Sequence, residues 1–142
     1  MPTRNASATW EGPLKGGRGT FSGDSGAVGG DYTFASRFEG GKESSPEELI
    51  AAAEAACFSM ALSGNLEKAG ATPKRVDTKA ACTVERTDAG MTITSIKLDV
   101  EVSADGVSAD EFSKIAGTTK ETCPVSRALK GNVKIDLTAR LV

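Results

Sequence analysis

The sequence predicts an α+β fold with mainly antiparallel sheet, and three observations predict it. Glycine-punctuated strand candidates fill the first forty residues. A single long alanine-rich helix follows. Beyond it, two long alternating segments form a hairpin, then short helices, then one closing strand. That order lacks the strict strand–helix alternation of a doubly wound sheet. With 142 residues, the chain reads as a single domain, 1–142, large enough to bury a core.

The first strand candidates are "SATWEG", "GRGTFSG" and "GDYTFASRFEG", with turns at Gly16-Gly17, Asp24-Ser25-Gly26 and Gly29-Gly30. They read as an antiparallel meander. Ser45-Pro46-Glu47-Glu48 then signals a helix start. Ser45 is the N-cap, Pro46 stands at the first helical position, and Glu48 follows three residues after the cap. The helix runs to about Ala69 and stops at Gly70. Ile50, Ala53, Cys57, Met60 and Ala61 share a face at three- and four-residue spacing, and the alanines on both flanks predict a helix buried deep.

Val76, Thr78, Ala80, Cys82 and Val84 alternate inward from Lys74 to Glu85. Thr94, Ile96, Leu98, Val100 and Val102 do the same across the turn Asp88-Ala89-Gly90. Ser108 and Glu111 form a capping box for a helix that stops near Thr122. Cys123 stands as the N-cap of a further short helix, "PVSRALK", with Pro124 at its first position and Gly131 at its end. Val133, Ile135, Leu137, Ala139 and Leu141 alternate as a final strand.

The bulk numbers exclude several functions. Net charge is −2 and aromatics make up 5%, so neither a phosphate-neutralising patch nor a base-stacking surface is built in. No unbroken apolar run approaches the roughly 18 residues of a membrane span, and "MPTRNASATWEG" lacks a signal-peptide core. The expectation is a soluble cytoplasmic protein that binds neither nucleic acid nor membrane. The chain has no histidine, which removes Ser-His-Asp triads, Cys-His dyads and zinc-finger spacing together. A G-x-S-x-G elbow is missing as well, so hydrolase readings fail.

Chemistry must therefore run on Cys, Asp/Glu, Lys/Arg, Ser/Thr or Tyr32, and the three cysteines, Cys57, Cys82 and Cys123, are an odd count that argues against a structural disulfide framework. Cys82 lies in phase with Val76 and Val84 and reads as core. Cys57 on an alanine helix also fits simple packing. Cys123 differs, because cysteine is a poor cap and a thiol at a helix start faces unpaired N–H groups that favour thiolate. Cys57 and Cys123 meet only if their two helices pack together, which the sequence permits without requiring. If they meet, one thiolate attacks an electrophile and becomes sulfenic acid, and the other resolves it as a disulfide. Without histidine, the cation beside the thiolate must be Arg or Lys, and Arg's planar fork suits the task better.

"RFEG", "SPEELIAAAEAACFSMAL" and "CPVSRAL", in this order and spacing, resemble the OsmC subfamily of the OsmC/Ohr thiol peroxidases, over essentially the whole chain. The resemblance implies an OsmC-like fold, with antiparallel sheets packed around a long buried central helix in an intertwined homodimer. It implies a thiol-dependent peroxidase that reduces organic hydroperoxides, and hydrogen peroxide more weakly, to alcohols or water. Cys57 would be the peroxidatic nucleophile and Cys123 the resolving thiol. Arg37 of "RFEG" would hold the thiolate, and Glu47 of "PEEL" would orient that arginine. No bound cofactor or metal is implied; an external lipoyl-type dithiol or lipoylated protein would be the reductant. Arg18 of "GGRGT" resembles the position the Ohr subfamily uses and is the reserve for Arg37.

Glu47 and Cys57 are ten residues apart, roughly 15 Å along a straight helix. They cannot share one arginine within a continuous helix. Either Glu47 leaves the helix axis in its first turn, or the glutamate serving Cys57 comes from the partner chain. The resemblance also implies histidine where this chain has Glu54. A carboxylate facing Cys57 there disfavours thiolate, unless it points to solvent or pairs with a lysine. Thr122 and Ser126 are candidate proton donors to the departing alkoxide, and Phe58, Met60 and Ile50 are candidate contacts for an alkyl tail, with core packing the alternative for each. The competing function is a dimeric ligand-binding or redox-sensing module without turnover.

Overall fold

The computed structural model describes residues 1–142. The chain forms two compact units, Met1–Leu49 and Ile50–Val142.

In the first unit, β1 (Ala6–Glu11), β2 (Arg18–Gly23) and β3 (Gly29–Tyr32) form an antiparallel sheet in the order β1-β2-β3. Trp10 and Tyr32 come together across it, with ring centroids 5.5 Å apart. Gly19 lies between them, where an added Cβ would stand 2.5 Å from the Tyr32 ring and 2.8 Å from Trp10, so only glycine lets these rings close. The third strand is shorter than the sequence predicts, and Gly29-Gly30 lies inside it rather than in a turn. The reason is Thr33, whose hydroxyl accepts from the Ser36 amide while Ser36 returns the bond to the Thr33 amide. That reciprocal cap starts α1 (Phe34–Phe38), and "FASRF" becomes helix instead of strand.

Helix α2 (Pro46–Lys68) begins as predicted. The Ser45 hydroxyl accepts from the Glu48 amide, while the Glu48 carboxylate takes its bond from the Ser44 hydroxyl. Its far end closes through Gly70 at φ 88°, where the Ala71 amide donates back to the Leu66 carbonyl.

In the second unit, β4 (Thr72–Thr87) and β5 (Gly90–Asp105) form the predicted hairpin. After β5 come α3 (Ala109–Thr122), α4 (Pro124–Leu129) and β6 (Lys134–Leu141). β6 pairs with β5 in parallel, completing the order β4-β5-β6. The two helices supply the crossover that a parallel pair requires. Ile96, Leu98, Val100 and Val102 of β5 pack with Phe58, Leu62 and Leu66 of α2 and with Phe112 and Ala116 of α3.

The predicted buried face of α2 is corrected. Glu54, Phe58, Leu62 and Leu66, at four-residue spacing, are fully buried, while Ala52, Ala53 and Ala56 are exposed and Met60 is 82% exposed. Alanine gives almost no contrast between faces, so the three large residues set the phase and Met60 lies on the far side. Within one chain the helix is thus buried along a stripe, not on all sides. By length and composition it is also apolar enough to cross a membrane, contrary to the sequence expectation. A mean over alanine-rich residues passes that test although the acidic residues break any single run; here the large side chains serve the protein core. Leu62→Ala should cost about 2–5 kcal/mol in equilibrium urea unfolding; Met60→Ala, by contrast, should leave the stability of a single chain nearly unchanged.

Candidate active site

Cys123 does two jobs in the backbone. Its amide donates to the Thr119 carbonyl at 2.8 Å, closing α3, and it is the N-cap of α4 ahead of Pro124. Its side chain makes no capping bond. The thiol instead lies 3.1 Å from the sulfur of Cys57, and both cysteines are reduced. A disulfide needs about 2.05 Å between sulfurs, so about 1 Å of closure separates the pair from a bond.

Several contacts fix this approach. The Asn65 amide donates to the Thr119 hydroxyl at 2.8 Å, tying α2 to the end of α3. Ser59 donates to Thr78 at 2.7 Å, tying α2 to β4. Ser126, one turn beyond Cys123, donates its hydroxyl to Oε1 of Glu54, one turn before Cys57. Helices α2 and α4 are thus joined by two rungs, sulfur to sulfur and hydroxyl to carboxyl. Cys123, Ser126 and Glu54 are all buried.

The Cys57 thiol is pushed above its ordinary value of 9.0, first by burial and next by its contact with Cys123. The Val125 amide, a donor to the Cys57 sulfur, pulls it the other way, and the charges of Cys123 and Glu54 add to the rise. Two sulfurs this close resist losing both protons, because the second thiolate would face the first. Within this unit, burial and the Cys123 contact favour the thiol over the thiolate.

The predicted charge pair is in the first unit. Arg37, near the end of α1, donates to Glu47 through Nε at 3.2 and 3.3 Å and through Nη2 at 2.7 Å. Glu47 is helical, in the first turn of α2, and only 5% exposed. The guanidinium also lies 4.9 Å from the Phe38 ring centroid. This is a two-point ion pair with one partner buried, the geometry that holds a guanidinium in a fixed direction. Arg18 is different. It reaches Asp31 at 3.5 Å with both side chains more than half exposed, a contact of little energetic weight. Beside Arg37, Trp10, Leu14, Tyr32, Phe34 and Phe38 line a cavity of about 230 Å³. Nowhere do three or more Cys, Asp or Glu side chains gather as metal ligands would.

The structure therefore brings Cys57 to Cys123, and Arg37 to Glu47. The residues named for an alkyl tail do not gather: Phe58 is core, Ile50 packs against the core, and Met60 is exposed. Thr122 spends its hydroxyl on the Thr118 carbonyl.

The model of the OsmC-like protein family matches residues 39–138, and a curated relative, Peroxiredoxin OsmC of Escherichia coli, is 47% identical over 94% of each chain. The chain belongs to the OsmC-like family. Organic hydroperoxide resistance protein-like 2 of Staphylococcus epidermidis is 32% identical over 72% of each chain. OhrA, an organic hydroperoxide resistance protein of Bacillus subtilis, is 31% identical over 68% of this chain and 67% of its own. Among solved structures, an organic hydroperoxide resistance protein from Elizabethkingia anophelis superposes with a TM-score of 0.79 over 100% of this chain and 98% of its own, at 23% identity. OhrB of Bacillus subtilis does so with 0.72 over 96% and 98%, also at 23%. At those identities the likeness carries the fold, an α+β arrangement of two mostly antiparallel sheets with a long helix.

Within this OsmC-like site, the Glu54–Ser126 rung and the Asn65–Thr119 tie were not singled out from sequence. The first had a signal: Glu54 precedes Cys57 by three residues and Ser126 follows Cys123 by three, one helical turn each. The apolar cavity beside Arg37 had none, since its lining is scattered along the first thirty-eight residues. Cys123→Ser should move Cys57 to a lower titration midpoint, because a hydroxyl donates to the thiolate without contributing a competing charge. Iodoacetamide alkylation of Cys57 across pH reads this directly, with the half-point falling in the variant.

Proposed function

We propose that this protein is a thiol-dependent peroxidase for organic hydroperoxides, carried by the 3.1 Å approach of Cys57 and Cys123. The Cys57 thiolate attacks the terminal oxygen of ROOH. The S–O bond forms, the O–O bond breaks, and the departing alkoxide takes a proton to leave as ROH. The resulting sulfenic acid is attacked by Cys123; the S–S bond forms and the hydroxyl leaves as water with the Cys123 proton. An external dithiol of the lipoyl class reduces the disulfide and closes on itself as a ring disulfide.

The half-exposed Cys57 fits the nucleophile and the buried Cys123 fits the resolving thiol, since the outer sulfur meets substrate first. Supporting this reading, the relatives named above are a peroxiredoxin and organic hydroperoxide resistance proteins. Burial pushes the Cys57 thiol up, so a cation is needed to favour its thiolate. Arg37 supplies that charge with Glu47 fixing its direction, and Arg18, exposed and loosely paired, does not. The aromatic-lined cavity at Arg37 suits the hydrocarbon part of an organic hydroperoxide better than hydrogen peroxide.

The working unit is the whole chain, 1–142, as one domain in a homodimer. The exposed apolar stripe of α2, Ala52, Ala53, Ala56 and Met60, supports a second copy as its cover. Arg37 and Glu47 then serve the Cys57 of the partner, which removes the conflict set by ten residues of helix. Such a protein is soluble, works in the reducing cytoplasm and needs no resident cofactor.

Steady-state consumption of cumene hydroperoxide with dihydrolipoamide tests the function. Cys57→Ser should abolish turnover, and Cys123→Ser should allow one equivalent of peroxide to be consumed and then stop. Arg37→Met should lower kcat/KM by about 10²–10³-fold and raise the pH midpoint of Cys57 alkylation. Turnover that survives Cys57→Ser would overturn the assignment. A wild-type Cys57–Cys123 disulfide that the dithiol reopens without net peroxide loss would favour the redox sensor.

A further inference from the structure

Glu54 is fully buried on α2, and its surroundings are unusual for a carboxyl. Oε1 accepts from Ser126, but Oε2 is buried with no hydrogen-bond partner. No lysine or arginine pairs with it. Near it stand the Cys57 sulfur, one turn along its own helix, and Ser126 of α4, the helix whose N-cap is Cys123. As a mere tie between two helices this is a poor choice, because an orphaned buried oxygen is costly and a neutral side chain would tie equally well. The chain also lacks histidine, so no imidazole is available to carry a proton at the sulfur.

An activated nucleophile needs a base, and the base needs a third group to orient it. Glu54 lies one helical turn before Cys57 and is oriented by Ser126, with no hydrogen bond to the Cys57 sulfur in the resting protein. We propose that Glu54 holds the proton that leaves Cys57 and delivers it to the departing alkoxide, with Ser126 as its positioning residue. The inference rests on the peroxidase reading.

The step balances. Cys57–SH and the Glu54 carboxylate become the thiolate and the carboxylic acid, with the proton held at the unpartnered Oε2. The thiolate attacks the terminal oxygen of ROOH, the S–O bond forms and the O–O bond breaks. The alkoxide takes the Glu54 proton and leaves as ROH, which restores the carboxylate. Charge is conserved at every stage, and the carboxylate never stands beside the thiolate it would repel. That repulsion is already visible in the upward push of Glu54 on the Cys57 thiol.

Leaving groups provide the test. Glu54→Gln keeps an oxygen for Ser126 but carries no transferable proton. Three reactions of Cys57 would be followed in single turnover. Alkylation by iodoacetamide releases iodide and needs no proton. Peracetic acid releases acetate and needs almost none. Release of alkoxide from tert-butyl hydroperoxide does need one. In Glu54→Gln, alkylation should fall only as far as loss of the base lowers the thiolate fraction, and both oxidant rates are read relative to it. Peracetic acid reduction should change little, and tert-butyl hydroperoxide reduction should fall roughly 10²-fold.

Equal losses for both oxidants, or no loss for either, would overturn the inference. Should Glu54→Gln not fold, Ser126→Ala keeps the carboxyl and is read by the same split, smaller in size; a uniform change there also overturns it. Wild-type protein that reduces neither oxidant would refute the peroxidase reading itself, a result distinct from all of these.

Discussion

The pressing of Cys123 against Cys57 is the contact on which the rest of this molecule depends. It exists because one residue ends α3 and starts α4 at the same point, so the backbone corner has no freedom to carry the thiol elsewhere. The corner is held from outside by Asn65 on Thr119 and by Ser126 on Glu54. Each of these ties has one end on α2, the helix that also carries Cys57. A change in the phase of α2 would therefore move both the nucleophile and the supports of its partner together. Phe58, Leu62 and Leu66 set that phase by burying one stripe against β5 and α3.

The absence of histidine divides the electrostatic work. Burial and the neighbouring charges all keep the proton on Cys57, with only the Val125 amide opposing them. A thiol in that state is stable against stray oxidation and needs activation from elsewhere. The proposed mechanism draws on two separate resources for it. One is a guanidinium held at two points by a buried carboxylate; the other is a buried carboxyl one turn from the sulfur with an oxygen left over. A cation lowers the cost of the thiolate, and a proton carrier lowers the cost of the leaving group. These are different terms of the same barrier.

Most of this fold was legible because its signals are local. Ser108 with Glu111, Ser45 with Glu48, Gly70, and Pro124 after Cys123 each fix an element boundary through backbone geometry alone. The alternation of β4, β5 and β6 likewise survives into the structure. What failed were readings that needed tertiary contrast. Alanine does not distinguish the faces of α2, so Met60 was placed inward and lies outward. The Thr33–Ser36 cap turned Phe34–Phe38, read as strand, into helix. At the site, Cys57 and Cys123 were readable as reactive types, yet these cysteines, 66 residues apart, meet only through packing between their helices. Glu54 was noticed as a carboxylate near a thiol, but its partner Ser126 lies 72 residues away and only the folded chain joins them.

Adding one equivalent of tert-butyl hydroperoxide to the reduced protein and mapping its disulfides by mass spectrometry tests the central contact most directly. A single Cys57–Cys123 bridge within each chain, formed in step with the peroxide consumed and leaving Cys82 reduced, is the predicted result. Accumulation of sulfinic acid at Cys57 without a bridge, or a bridge that involves Cys82, would contradict it.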